Sequence, residues 1–339
     1  MREITHAKPE GANTLSKRAT SNVARFFIKY VILTIMYKQI YNIYKPIGLT
    51  PLQALEAFRK QAKLPAGLKM SYAGRLDPLA EGVLVIICGD KLKQKDKFLK
   101  LNKTYQAKIL FGVSTDTFDL MGKITSPFRA NLPVRQAGAY KRGIPDKRSL
   151  GCTRDDNTER VKGKNQREIL LIGANLPSVD KINREMENLI GNIILPIPPY
   201  SSVPINGKPS FMHARAGDLS LKNIRSREMK ILKITLEGYK NISADKVLKS
   251  ARQKINKVSG DFRQKEILKL WKQKVPDKFV NFKILKLKIN CASGTYIRSI
   301  AHQLGTQLNC PALLYHLTRQ KVGPYNIKSS IKLKNTPAL

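Results

Sequence analysis

Read for the spacing of apolar residues, the chain mixes two-residue and helical periods without a regular strand–helix alternation. Ile40–Tyr44 alternates apolar and polar positions as a half-buried strand does. Tyr105, Ala107, Ile109 and Phe111 line one side of a second strand, with Gln106 and Lys108 on the other. Leu285, Leu287, Ile289 and Cys291 alternate more strongly still, and Val83–Ile87 and Ile231–Leu236 are apolar runs of strand length. Helical spacing groups Leu52, Leu55, Phe58 and Ala62; then Val179, Ile182, Met186, Leu189 and Ile190; then Val247, Leu248, Ala251 and Ile255. Phe262, Ile267, Leu268 and Trp271 form a fourth set, and Ile297, Ile300, Ala301, Leu304 and Leu308 a fifth. Thr50-Pro51-Leu52-Gln53 has the residues of a capping box with proline in the first turn, and Ser178 and Ser243 stand where caps belong. No internal repeat is visible. The pattern predicts an α+β domain with a mainly antiparallel mixed sheet and flanking helices.

Several stretches fall outside that pattern. Residues 1–36 are polar and irregular up to an apolar run from Phe26 to Tyr37, which is shorter than the roughly twenty residues needed to cross a bilayer. No small-residue cleavage site follows it. They are expected to be a disordered or non-native extension, with Met36 as an alternative start. Residues 129–168 scatter Arg135, Lys141, Arg142, Arg154, Arg160 and Lys164 through Gly- and Pro-containing sequence, as a mobile basic insertion would. One domain is therefore expected over 37–128 and 169–328, followed by a tail at 329–339.

Composition adds a partner. Sixty-two Lys and Arg face 24 Asp and Glu, a net charge of +38, which points to a polyanion: nucleic acid or an anionic membrane surface. No apolar helix with basic flanks supports a membrane role, and a 42% hydrophobic content belongs to a folded body. Cys88, Cys152, Cys291 and Cys310 are far apart, and His6, His213, His302 and His316 show no ligand spacing. Buried thiols in a reducing compartment and no metal are expected.

The stretch that carries chemistry is Ser71 to Gly89. Its turn from Gly74 to Gly82 displays Asp77 ahead of Pro78 and runs into the apolar strand Val83–Ile87. Arg75 is two residues away, on the same side if the segment is extended. An Asx-type turn closed by its own side chain is the plain alternative. A second oddity is Arg298, in the first turn of a predicted helix, where the helix dipole disfavours a cation. A buried carboxylate would explain it.

Gly74-Arg75-Leu76-Asp77-Pro78-Leu79-Ala80-x-Gly82 closely resembles the signature of TruB-type tRNA pseudouridine synthases. Other motifs follow in the family's order: Lys45-Pro46-x-Gly48-x-Thr50, Thr115-Asp116-Thr117-x-Asp119, the segment Pro199-Tyr200-Ser201 to Gly207-Lys208, Gly294-Thr295-Tyr296-Ile297-Arg298, and Leu317-Thr318-Arg319. The resemblance runs from about Ile40 to Tyr325, with residues 241–278 standing out as a helical insertion. It implies a pseudouridine synthase-like catalytic domain that isomerises uridine at position 55 in the T-arm loop of tRNA, without a cofactor. By the resemblance Asp77 is the catalytic acid and Arg298 its partner. Tyr105 and Tyr296 line the pocket, Leu317 packs on the base, and Lys45, Tyr72 and Arg75 support the site. Tyr72 stands where relatives carry a histidine that dislodges the base; Pro204 and Phe211 replace a usual lysine and tyrosine. A cytoplasmic monomer acting on tRNA, with no membrane partner and no C-terminal PUA domain, is the resulting expectation. Another RNA target such as rRNA, or a non-catalytic tRNA-folding chaperone on the same scaffold, stays open.

Overall fold

The computed structural model describes residues 39–125, 178–218, 224–275 and 281–334. The expected extension at 1–36 and the basic insertion at 129–168 lie outside the described residues, as do residues 335–339 of the tail.

A capping box opens the first helix as its sequence requires. After strand β1 (Ile40–Lys45), Thr50 accepts from the Gln53 amide at 3.2 Å and the Gln53 side chain accepts from the Thr50 amide at 2.7 Å, starting α1 (Pro51–Gln61). The hairpin-like pair β2 (Met70–Ala73) and β3 (Ala80–Cys88) brackets the Asp77 turn. A short helix α2 (Lys95–Leu99), preceded by a turn of 3-10 helix, occupies the lysine-rich stretch before β4 (Lys103–Phe111). Then come α3 (Val179–Glu187), β5 (Gly191–Pro196), the small hairpin β6 (Pro204–Ile205) and β7 (Lys208–Pro209), and α4 (Ser210–Ala216). Strand β8 (Ser226–Ser243) leads into the helical pair α5 (Ala244–Asn256) and α6 (Gln264–Lys274). The chain closes through β9 (Asn281–Cys291), α7 (Ile297–Gln307), β10 (Ala312–Val322), β11 (Tyr325–Asn326) and β12 (Ile331–Lys332).

Ten strands join in one mixed sheet in the order β12-β1-β3-β10-β4-β9-β8-β5, with β2 on β3 and β11 on β10. Only the β1–β12 and β3–β10 contacts are parallel. Chain order and sheet order diverge at the centre, where β10 slides between β3 and β4. That places the strand entered by the Asp77 turn and the strand opened by Tyr105 on either side of Leu317–Arg319.

Helix α7 and helix α3 cover the largest apolar cluster, which includes Ile109, Leu287, Ile289, Ile300 and Leu304. Helices α5 and α6 cover a second, built on Val247, Ile267, Trp271, Phe282 and Leu313. Helix α1 covers a third on Leu84 and Ile86. Every alternating position expected inward in β4 and β9 is buried, because both strands lie in the interior of the sheet.

Three details differ from the periodicity reading. Leu52 is 58% exposed; Ala54, Leu55 and Phe58 form the buried face of α1. Val179 and Ile190, at the two ends of the α3 pattern, also face outward, leaving Ile182, Met186 and Leu189 as its anchors. Period alone cannot tell the flank of a helical stripe from its centre. Ser243 occupies the N-cap of α5 but its side chain makes no capping hydrogen bond, because its backbone still belongs to β8. The strand expected over Ile231–Leu236 extends well beyond both ends as the long β8. Among the described residues, no helix is long and apolar enough to cross a membrane.

Candidate active site

The Asp77 turn is held in shape from three sides. Ala80 N–H donates to the Asp77 carbonyl at 3.0 Å, closing the turn before β3 begins. Gly82 has φ +110°, and a Cβ there would sit 2.3 Å from the Arg319 carbonyl oxygen, so only glycine lets β10 approach. Arg319 is 1% exposed and supplies the third hold. Its Nε donates to Val83 O at 2.7 Å, Nη1 to Arg75 O at 2.9 Å and Nη2 to Gly74 O at 3.4 Å. A planar guanidinium with five donors suits three carbonyls that face different ways.

Lys45 grips the other end of the turn. It is completely buried, and its ammonium donates to Pro46 O at 2.9 Å, Leu49 O at 2.7 Å and, at 3.5 Å, Pro78 O. Burial pushes its pKa down to about 7, while the negative charge of Asp77 pulls the other way and Arg319 adds to the depression.

Asp77 itself points at Arg298. The Arg298 side chain is 5% exposed and that of Asp77 is 39% exposed, so the acid is the part of the pair that a substrate can reach. Arg298 Nη2 donates to Asp77 Oδ1 at 3.3 Å. Its Nε lies 2.9 Å from Oδ2, off the angle of a hydrogen bond, so the contact there is ionic. The guanidinium is fixed in turn by the Thr117 and Tyr200 carbonyls at 3.1 and 3.2 Å. This answers why an arginine stands in the first turn of α7: the carboxylate outweighs the unfavourable helix dipole.

A second acid shares that arginine. Asp119 Oδ2 lies 3.9 Å from Arg298 Nε, and Oδ1 accepts from Thr117 Oγ1 at 2.6 Å and Met121 N–H at 2.9 Å. Burial pushes the Asp119 carboxyl up to about 6, against the pull of Arg298 and with the Asp77 charge adding to the rise. Of the two acids around one buried arginine, Asp77 is the solvent-side member and Asp119 the buried, supporting one.

Tyr105 is 7% exposed and packs in the cluster beneath α7. It pairs across the sheet with Arg319, and burial raises its phenol pKa against the pull of the Arg319 charge. Leu317, two residues before Arg319 on β10, lies in the same cluster as Leu76 and Tyr105. Tyr296 is the N-cap of α7, half-buried, with the Arg227 guanidinium 5.7 Å from its ring centroid.

Two of the expected residues sit elsewhere. Arg75 carries its backbone in the turn, but its exposed side chain hydrogen-bonds Ser202 in the segment before β6 and makes no contact with Asp77. Tyr72 leans on the apolar cluster under α1, beside Tyr41 and Met70. Lys45, Asp119 and Arg319 hold more of the site than the sequence motifs imply. A lysine and an arginine inside strands, each at an apolar-face position, were the available signal. Among the described residues no three His, Cys, Asp or Glu side chains come together as a metal set.

The chain is similar to known proteins over most of its length. The family model for TruB family pseudouridylate synthase (N-terminal domain) matches residues 59–139, which contain the Asp77 turn and the Thr115–Asp119 turn. A protein named tRNA pseudouridine synthase B from Endomicrobium trichonymphae is 26% identical over 292 residues, 86% of this chain and 88% of that protein. Its namesake in Clostridium tetani is 25% identical over 87% of this chain and 71% of its own length, and that of Clostridium acetobutylicum is 27% identical over the same shares. A solved Cbf5-Nop10-Gar1 complex aligns over 87% of this chain and 52% of that one, at 17% identity and a TM-score of 0.44.

Proposed function

We infer that this chain, which belongs to the TruB family of pseudouridylate synthases, isomerises uridine to pseudouridine in tRNA, with the T-arm loop uridine as its target and the cytoplasm as its place of action. The observation that carries the reading is the Asp77–Arg298 pair: a reachable carboxylate aimed by an arginine that is itself buried and fully engaged. The relatives' shared name gives tRNA as the substrate class.

The reaction breaks the N1–C1′ bond of uridine and joins C5 of the same uracil to C1′. The proton that leaves C5 is matched by one gained at N1, so the product is an isomer and no oxidant or reductant is consumed. An acid that stays ionised near the ribose is what such a step requires, either as a nucleophile or as support for the separating base and sugar. Arg298 holds Asp77 in place for it. Tyr105, neutral because its burial opposes ionisation, offers a ring beside the turn for the extruded base. The uridine must leave its stack before Asp77 can reach it, and the +38 net charge favours the polyanion that brings it.

Incubation with unmodified tRNA, followed by carbodiimide-dependent primer extension, tests this directly. Pseudouridine is expected at the T-loop uridine with the native protein and nowhere with Asp77→Asn. Modification that persists in Asp77→Asn removes the assigned acid; product elsewhere in the RNA keeps the chemistry and changes the target.

A further inference from the structure

Next to the Asp77–Arg298 pair lies a cleft of about 370 Å³ lined by Asp116, Lys123, Tyr200, Arg215, Arg263 and Glu266. Its size is within the roughly 300–1,000 Å³ of small-ligand sites and leaves room for one nucleotide. None of these side chains touches Asp77. Three separate segments build the cleft: the loop after β4, the stretch from β5 through α4, and the connection that enters α6.

That connection belongs to the helical insertion, and it is shaped to reach the site. Ser259 N–H donates to Gly48 O at 3.2 Å on one side of the turn that Lys45 anchors. On the other side, Arg215 donates to the Asp261 carbonyl. Arg263 ends the connection with φ 61° and ψ 27°, a left-handed backbone that a branched or long side chain rarely adopts. Asparagine or glycine would serve the turn at less strain, so the side chain has a use that outweighs it. It is spent on the cleft: the guanidinium lies 4.1 Å from the Tyr200 ring centroid and Nη1 donates to Asp116 Oδ2 at 3.2 Å.

The lining decides the ligand. Three cations, two carboxylates and one phenol ring face the same space, with Lys123 and Glu266 paired at 2.5 Å. A pure phosphate site would exclude the carboxylates. A nucleobase fits the mixture, because its edge presents donors and acceptors side by side and its faces stack on aromatic rings and guanidinium planes. The cleft also touches the chemistry: the carbonyl of Tyr200, whose ring forms its wall, accepts from Arg298 Nη2 at 3.2 Å.

We propose that this cleft is a second nucleotide site, which takes the unstacked base of the RNA residue adjoining the target uridine and so fixes which uridine enters the Asp77 pocket. The proposal rests on the reading of the chain as an RNA pseudouridine synthase. The inserted helices thereby act as a specificity element of the active site, through Arg263 and Glu266.

The test is a binding cycle on the Asp77→Asn protein with a fluorescent T-arm stem-loop RNA, so that turnover does not enter. Arg263→Asn, which suits the left-handed backbone, and Arg215→Gln, an exposed change, are each expected to weaken binding about tenfold, the value of one stacked base. An abasic residue on one side of the target uridine should cost the same, and should cost nothing more once Arg263→Asn is present. In the active protein the Arg263→Asn loss should fall on KM more than on kcat. Unchanged affinity in both variants, or abasic losses that add in full at both flanking positions, overturns the cleft. If Arg263→Asn melts far below the parent, Arg215→Gln alone decides. A native protein that forms no pseudouridine in any RNA sinks the activity reading and leaves this binding cycle to give its own answer.

Discussion

Arg298 Nε lies 2.9 Å from Asp77 Oδ2 while the same guanidinium holds the Thr117 and Tyr200 carbonyls, so one buried cation both aims the acid and ties three segments together. Lysine cannot do both, because it offers a point charge where a planar fork is needed. Arg298→Lys is expected to lower kcat by about 10²–10³ with a smaller change in KM, the scale seen when one preorganised charge partner is removed. Single-turnover kinetics on a tRNA transcript measures it; a rate within threefold of native contradicts the pairing.

Asp119 makes a pH prediction with a definite sign. Its carboxyl is raised to about 6 in the fold against an ordinary 3.8, so between those values the folded state binds the extra proton. Lowering the pH through that window therefore stabilises the protein by way of this group, on the order of 1–3 kcal/mol. Glu81 acts oppositely but lower down. Although burial opposes it, hydrogen bonds from His316 and Tyr44 hold Glu81 at about 2, so its stabilising share is lost only as the pH falls below the ordinary 4.5. Over the same window the buried His302, held down at about 4, works the other way, so the readout is the difference between two proteins: from pH 6 to pH 4.5 the melting temperature of the native protein should fall less, or rise more, than that of Asp119→Asn. An identical slope in the two proteins would refute the raised carboxyl.

Gly82→Ala probes the fit between the acid's turn and the central strand. A methyl group there meets the Arg319 carbonyl at 2.3 Å in a backbone already at φ +110°. The expected cost is about 2–4 kcal/mol, since neither the backbone of β10 nor the φ can give cheaply. Denaturant unfolding reads it, and activity should fall further than stability because the displaced residue is Arg319.

Thr50→Ala is the control at a distance. Loss of the bond from the Gln53 N–H to Thr50 Oγ1 should cost about 1 kcal/mol and leave kcat/KM unchanged, because the Thr50 N–H still donates to Gln53 and the Gly48 and Leu49 backbone groups that meet the Asp77 turn stay in place. A large loss of activity would show that α1 does more than cover β3.

Much of this arrangement can be read in the residues themselves. The interior strands β4 and β9 announce their faces by strict alternation, and the Thr50 box announces its helix to the residue. Arg298 announces its acid by being on the wrong end of a helix. What stays hidden is set by three-dimensional neighbours. Leu52 looks like core until the sheet shows which side α1 presents. Lys45 and Arg319 look like ordinary surface cations, since only the fold reveals that carbonyls of a distant turn surround them. Arg319 sits two residues after Leu317 on the inward side of β10, and that period could have marked it. Asp119 carried no period at all; its role comes from Arg298, far along the chain.

The strand order has a consequence for the timing of the molecule's life. Strand β10 is among the last to be made, yet it fills the gap between β3 and β4 and brings Arg319, whose guanidinium gives the acid's turn its shape. A growing polypeptide on the ribosome thus carries Asp77 and Tyr105 more than two hundred residues before the strand that shapes the turn around the acid. A product that ends before residue 312 therefore lacks the strand that separates β3 from β4 and the guanidinium that shapes the Asp77 turn.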